Sequence, residues 1–113
     1  MTKISMNWED LTLRISGHAG GGEKGNDIIC AGISALTFAL VNALEDASAR
    51  GRTRLNWKED REKAEIRITA VPFSGYITEI RAYYRVIIMG MKAMAEEYPD
   101  NIKIGEVWSN GNL

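Results

Sequence analysis

The chain of 113 residues is 45% hydrophobic, which is enough for one domain with a modest core. Fourteen basic and fifteen acidic residues give a net charge of -1, so no overall field would attract nucleic acid or an anionic membrane. With one cysteine and one histidine, the chain has neither an internal disulfide nor the ligands of an ordinary zinc site. The first ten residues lack the apolar core of a signal peptide. We therefore expect a single domain over residues 1–113 in the cytoplasm, without a membrane, metal, cofactor or nucleic acid partner.

The N-terminal part of the chain predicts a hairpin. Residues 3–7 and 11–15 alternate between apolar and polar side chains, and Glu9 and Asp10 between them suit a turn. The second strand ends just before His18, which places this histidine where a sheet edge meets a loop.

A long helix is predicted from residue 28 to about residue 48, after a glycine-rich segment at residues 20–25 and two good N-caps, Asn26 and Asp27. Its main apolar stripe should face the sheet and consists of Ile29, Ile33, Leu36, Leu40 and Leu44. A second row has small residues every fourth position, namely Ala31, Ala35, Ala39, Ala43 and Ala47. This row would let either a second helix or a second subunit approach closely.

The second half of the chain predicts another hairpin, a helix and a last strand. Residues 55–58 and 65–71 flank a charged turn, and Pro99 ends the helix that follows. That helix carries an apolar stripe of Ile80, Tyr84, Ile87, Met91, Met94 and Tyr98. Ile102 and Ile104 indicate the last strand, and the tail from about residue 108 should be frayed.

The order strand, strand, helix, strand, strand, helix, strand predicts an α+β fold. We expect a two-layer sandwich, in which a largely antiparallel sheet of about five strands carries two helices on one face.

The segment from residue 16 to residue 34 joins the first hairpin to the first helix and contains both His18 and Cys30. These two side chains are the best suited to nucleophilic chemistry near neutral pH. Cys30 falls near the start of its helix, where the macrodipole favours an anionic thiolate. A glycine loop that turns back could bring His18 beside it as the general base. We interpret the pair as the dyad of a cysteine peptidase.

Other residues of this segment have open roles. Asp27 could cap the helix, orient His18 or contact substrate, and Ser34 could line the site or serve as a small packing residue. Loop amides around Gly20, Gly21, Gly22 and Gly25 could hold an oxyanion. Taken without context, a lone cysteine is more often a core residue, and a lone histidine after a strand is more often a surface residue.

Two further motifs in the glycine-rich segment are weak indications of dinucleotide binding and of RNA binding. Residues 20–25 match the dinucleotide fingerprint G-x-G-x-x-G, but the elements after the helix predict a hairpin rather than a parallel βαβ unit. Residues 22–25 match the GxxG of KH domains, yet a strand rather than a helix precedes them. An alternative function is a non-catalytic RNA- or ribosome-associated module, which would bind through the basic run Arg50, Arg52 and Arg54.

The residues GHA at 17–19, then Glu23, Gly25, DIICAG at 27–32 and Ser34-Ala35 closely resemble the signature of the ribosomal-processing cysteine protease family, Prp. The resemblance implies a small homodimeric protein of the bacterial cytoplasm that removes a short N-terminal extension from a large-subunit ribosomal protein, cutting after an aromatic residue. It implies Cys30 as nucleophile and His18 as general base, with Asp27 and Ser34 in the motif. Phage relatives are associated with processing of virion proteins, so a phage structural protein is an alternative substrate. Gly21 departs from the family pattern, in which many members carry a bulkier or polar residue.

Overall fold

The computed structural model describes residues 1–17 and 26–108, and of Asn26 and Asp27 it describes the backbone alone. These residues form five strands and two helices. In chain order they are β1 Thr2–Asn7, β2 Thr12–Ser16, α1 Asn26–Ala49, β3 Thr53–Asp60, β4 Glu65–Pro72, α2 Ile77–Glu97 and β5 Ile102–Val107. The predicted elements and their order are confirmed.

The strands form one sheet in the order β3-β4-β2-β1-β5. Three of the four neighbouring pairs are antiparallel, whereas β1 and β5 are parallel. The parallel pair arises because α2 carries the chain back across the sheet before β5 begins, as a crossover helix does. The sheet is therefore mixed, and the α+β class is confirmed.

Both helices pack on the same face of the sheet, because each places one apolar stripe there. Four of the five predicted stripe residues of α1 are fully buried, and so are four of the six in α2; the fully buried ones are Ile29, Ile33, Leu40, Leu44, Ile80, Tyr84, Ile87 and Met91. They meet alternate residues of the strands, such as Ile4, Met6, Leu13 and Ile68. The opposite face of the sheet carries no helix within the described residues.

Glycines allow the close contact between the two helices. A Cβ on Gly90 would stand 2.9 Å from Cδ2 of Leu36, and a Cβ on Gly32 would stand 2.6 Å from Cε of Met94. The alanine row of α1 is not this contact, since Ala31, Ala35 and Ala39 are exposed. Further along the row, Ala43 is half-buried and Ala47 is buried in the core.

The C-terminal end of the described chain is held against the first hairpin. Trp108 stacks on Trp8 with ring centroids 5.4 Å apart, so packing extends one residue beyond β5. The predicted frayed tail from about residue 108 would thus begin after a tryptophan whose ring has an apolar partner, and residues 109–113 lie outside the described residues.

Candidate active site

A cleft of about 330 Å³ lies between α1 and the hairpin that joins β3 to β4. Its α1 wall presents Cys30, Ile33, Ser34, Thr37 and Phe38. The opposite wall comes from the hairpin and consists of Glu59, Asp60, Arg61, Ala64, Glu65 and Ile66. Thr2, Ile15 and Gly17 complete the lining from the ends of β1 and β2. The cleft is thus built at one end of the sheet by segments far apart in the chain.

Cys30 is exposed and is the fifth residue of α1, so its thiol stands in the cleft one turn after the helix begins. Its backbone N–H lies beyond the first four of the helix, which are the ones that lack an intrahelical acceptor. Ser34 and Phe38 follow at four-residue spacing and line the same wall. The Ser34 side chain therefore contacts the site rather than the core.

Phe38 and Thr37 fix the far end of the α1 wall. The Phe38 ring meets the Trp57 ring edge-on, with centroids 6.2 Å apart at an interplanar angle of 83°. The buried Thr37 hydroxyl donates to the carbonyl oxygen of Ile33 at 2.7 Å, so its polar atom is satisfied within the helix. This end of the cleft consequently offers mainly apolar surface.

Gly17 carries the chain out of β2 at the edge of the cleft. Its N–H donates to the carbonyl oxygen of Ala64 at 2.9 Å, which ties the end of β2 to the β3–β4 turn. Its φ of +86° is strained for any other residue, and a Cβ here would stand 2.3 Å from the backbone oxygen of Met1. Glycine is therefore required at this position, one residue before His18.

The hairpin wall has three carboxylates, Glu59, Asp60 and Glu65, and one guanidinium, Arg61. The hydrogen bond that Arg14 donates to Glu65 at 2.8 Å lowers the pKa of the Glu65 carboxyl. One oxygen of Asp60 accepts the backbone N–H of Lys63 at 3.1 Å. The cleft thus combines an apolar end with an acidic rim.

The structure places two of the predicted site residues, Cys30 and Ser34, in this cleft. His18, Gly20, Gly21, Gly22 and Gly25 lie outside the described residues, and so does the Asp27 side chain. Sequence analysis missed Phe38 as a site residue, although its spacing of eight residues from Cys30 is a helical-face signal. It also missed the hairpin wall, because a charged turn gives no local indication of which site it approaches.

An exposed cysteine that lines a cleft is what a cysteine protease requires of its nucleophile. A family model described as "Cysteine protease Prp" matches residues 1–103. The chain belongs to this Prp family of cysteine proteases.

Similar proteins agree with this assignment. The "Ribosomal processing cysteine protease Prp" of Staphylococcus aureus strain Mu50 is 31% identical over 90 residues, which is 80% of each chain. The protein of the same name from Mycoplasma genitalium is 29% identical over 94% of this chain and 96% of its own. A crystal structure of an essential ribosomal processing protease Prp from S. aureus, in complex with a covalently linked product peptide, matches with a TM-score of 0.77 at 26% identity. The match covers 94% of this chain and 99% of that one. The protein is therefore a peptide-bond hydrolase with a protein substrate.

Proposed function

We propose that Cys30 and His18 form the catalytic dyad of this protease. The observation that carries the proposal is that Gly17 and Cys30 line the same cleft. His18 directly follows Gly17 in the sequence, so the described chain reaches this cleft one residue before the predicted base. The S. aureus relative, which is complexed with a covalently linked product peptide, supports a covalent mechanism.

The dyad would act in two steps. The Cys30 thiolate, formed when His18 takes the thiol proton, attacks the scissile carbonyl carbon, while backbone N–H groups of the glycine loop or of the start of α1 hold the oxyanion. His18 then gives its proton to the departing amine, which leaves a thioester on Cys30. Water, deprotonated by His18, attacks the thioester and releases the carboxylate product together with the regenerated thiol.

The apolar end of the cleft supports cleavage after an aromatic residue. Ile33, Phe38 and Ile66 provide the apolar surface, and a volume of about 330 Å³ accommodates one large side chain. The names of the relatives support a ribosomal protein as substrate. We infer that the protein removes a short N-terminal extension from a large-subunit ribosomal protein in the cytoplasm.

A homodimer completes the proposal. By length and composition alone, α1 residues 28–49 would suffice to cross a membrane, and 33% of an 18-residue stretch of this helix is buried within the single chain. The exposed remainder includes Ala31, Ala35 and Ala39, whose small side chains allow a second backbone to come close. A second copy of the chain, packed on this row, would cover it.

The first experiment measures cleavage of quenched peptides that span the N-terminal extension of a large-subunit ribosomal protein. We expect His18→Ala to lose about 10²-fold or more in kcat/KM, since removal of a positioned general base costs at least that much. Cys30→Ser should lose at least as much, because it removes the nucleophile itself. Replacing the aromatic residue before the cut by alanine should lower kcat/KM about 10- to 100-fold, because the substrate then has no aromatic side chain to bury in the cleft.

Thiol alkylation gives a second readout that needs no substrate, because the chain has one cysteine. We expect iodoacetamide to react faster with the wild type than with His18→Ala at neutral pH. The matched control is Asn42→Ala, on an exposed position of α1 that does not line the cleft, and it should behave as the wild type. Undiminished cleavage by His18→Ala, at an unchanged alkylation rate, would refute the dyad.

A further inference from the structure

Within the described chain, one face of the sheet carries no helix, and we call it the open face. Its exposed side chains include several cations. Strand residues alternate between the two faces, so the residues next to the buried ones point away from the helices. On this open face each strand contributes at least one exposed cation. Five of them, one from each strand, form what we call the basic stripe: Lys58 in β3, Arg67 in β4, Arg14 in β2, Lys3 in β1 and Lys103 in β5.

Strand register aligns these five cations across the whole sheet. Lys58 pairs with Arg67, and Arg67 pairs with Arg14. Lys3 pairs with Lys103 on its other side. The two groups are joined by a diagonal, because Lys3 pairs with Ser16, two residues from Arg14. With neighbouring strands about 4.8 Å apart, the stripe runs about 19 Å.

Like charges placed directly opposite on neighbouring strands destabilise a sheet. Three of the stripe's cross-strand pairs are of this kind, which folding alone does not favour. One carboxylate lies within the stripe, since Glu65 accepts from Arg14 at 2.8 Å and stands 3.9 Å from Arg67. The ion pairs described for residues 1–17 and 26–108 include none for Lys3, Lys58 and Lys103. The stripe therefore retains a net positive charge.

Basic and acidic residues are nearly equal in number over the whole sequence, but the fold does not distribute them evenly over the surface. Among the side chains that the structure describes, the strand positions of the open face hold six cations, Arg54 included, and two carboxylates, Asp60 and Glu65. Both of these carboxylates line the cleft at one end of the sheet. The open face is thus cationic, while the other described side chains carry an excess of negative charge.

The side chains of this face fit a phosphate backbone better than another protein surface. Its strand positions include no aromatic residue, and its exposed apolar residues, Val71 and Val107, lie away from the stripe. Protein interfaces favour aromatic anchors and disfavour lysine, whereas evenly spaced lysine and arginine neutralise phosphates. Without stacking platforms or groove-reading elements, such contacts carry no sequence information.

We propose that the open sheet face binds the sugar-phosphate backbone of a nucleic acid through the basic stripe. The binding is independent of base sequence and of the peptidase chemistry, because Cys30 lies on α1, which packs on the other face of the sheet. The stripe spans about five phosphates at the spacing of a stacked strand.

The test is fluorescence anisotropy of the full chain with a labelled RNA of mixed sequence. If all five cations displace counterions, the affinity should fall about 100-fold when salt rises from about 50 to about 200 mM. The triple variant K3Q/K58Q/K103Q, which removes cations without a described ion pair, should bind at least 10-fold more weakly and with a smaller salt slope. K3R/K58R/K103R should restore the binding, and Cys30→Ser should bind as the wild type.

The control R50Q/R81Q/R85Q makes the same change in net charge at exposed cations outside the stripe, and it also tests the arginine run near Arg50. It should retain wild-type affinity. Equal weakening of both triple variants, with unchanged thermal unfolding, would overturn the proposal, as would the absence of binding at low salt. Competition by polyglutamate as strong as that by unlabelled RNA of equal charge would assign the stripe to acidic proteins instead.

Discussion

Gly17 is the residue at which the site depends most directly on backbone geometry. It leaves β2 with φ of +86° and holds the β3–β4 turn through its hydrogen bond to Ala64. Gly51, which follows α1, has a similar φ of +73°, but nothing lies within 4 Å of the Cβ it would carry. Alanine at position 51 would therefore meet backbone strain alone, whereas alanine at position 17 would meet both backbone strain and a steric clash.

Substitution of each by alanine tests this distinction. We expect Gly51→Ala to lower the free energy of unfolding by about 1 kcal/mol, the cost of a left-handed conformation for an L residue. Gly17→Ala adds a contact of 2.3 Å with backbone, so we expect a loss of about 3 kcal/mol. Urea unfolding followed by circular dichroism measures both, and equal losses would mean that the backbone at Met1 moves aside freely.

At the scale of elements, Glu106 holds β5 and α2 together with the first hairpin. One of its oxygens accepts the indole N–H of Trp8 at 2.8 Å, and the other pairs with the ammonium group of Lys92. The hydrogen bond from Lys92 is the main reason that the pKa of Glu106 is lowered, and the bond from Trp8 adds to it, while partial burial opposes both.

This pair predicts a pH dependence of stability. Because the folded state lowers the pKa of Glu106, its contribution is present above the ordinary glutamate pKa of about 4.3 and is lost as pH falls through the lowered value. We expect Glu106→Gln to lose about 1 kcal/mol of unfolding free energy at neutral pH and to lose less than the wild type on acidification. Glu96→Gln, at an exposed position of α2, is the control and should follow the wild-type profile. Parallel pH profiles for wild type and Glu106→Gln would contradict the assignment.

At the scale of the whole molecule, two exposed apolar surfaces are candidates for the interface of the proposed homodimer. One is the exposed part of the alanine row of α1, which comprises Ala31, Ala35 and Ala39, and the other is the outer side of α2, where Val86 and Met89 are 67% and 63% exposed. The row lets two backbones approach closely, and a charge within it would be buried without a partner. We therefore expect Ala35→Glu to give a monomer in analytical ultracentrifugation, whereas Met89→Glu stays dimeric. Dissociation by Met89→Glu alone would place the interface on α2.

Much of the fold could be predicted from the sequence because it depends on local periodicity. The period of two in residues 3–7 and 65–71 and the stripes around Leu40 and Tyr84 predict the elements and their buried sides. Cys30 could be predicted as a site residue from its place after a glycine loop at the start of a helix. Each of these properties depends on residues that are neighbours in the sequence, so it can be predicted without the tertiary structure.

Tertiary structure decided which distant segments meet. The parallel pairing of β5 with β1 depends on where α2 returns the chain, and the acidic wall of the cleft depends on strand order placing the β3–β4 hairpin opposite Cys30. Alternation shows that Lys58, Arg67 and Arg14 point outward, but register alone places them side by side. A net charge of -1 is a sum over the sequence and contains no position, so the cationic face emerges only when five strands are laid in order.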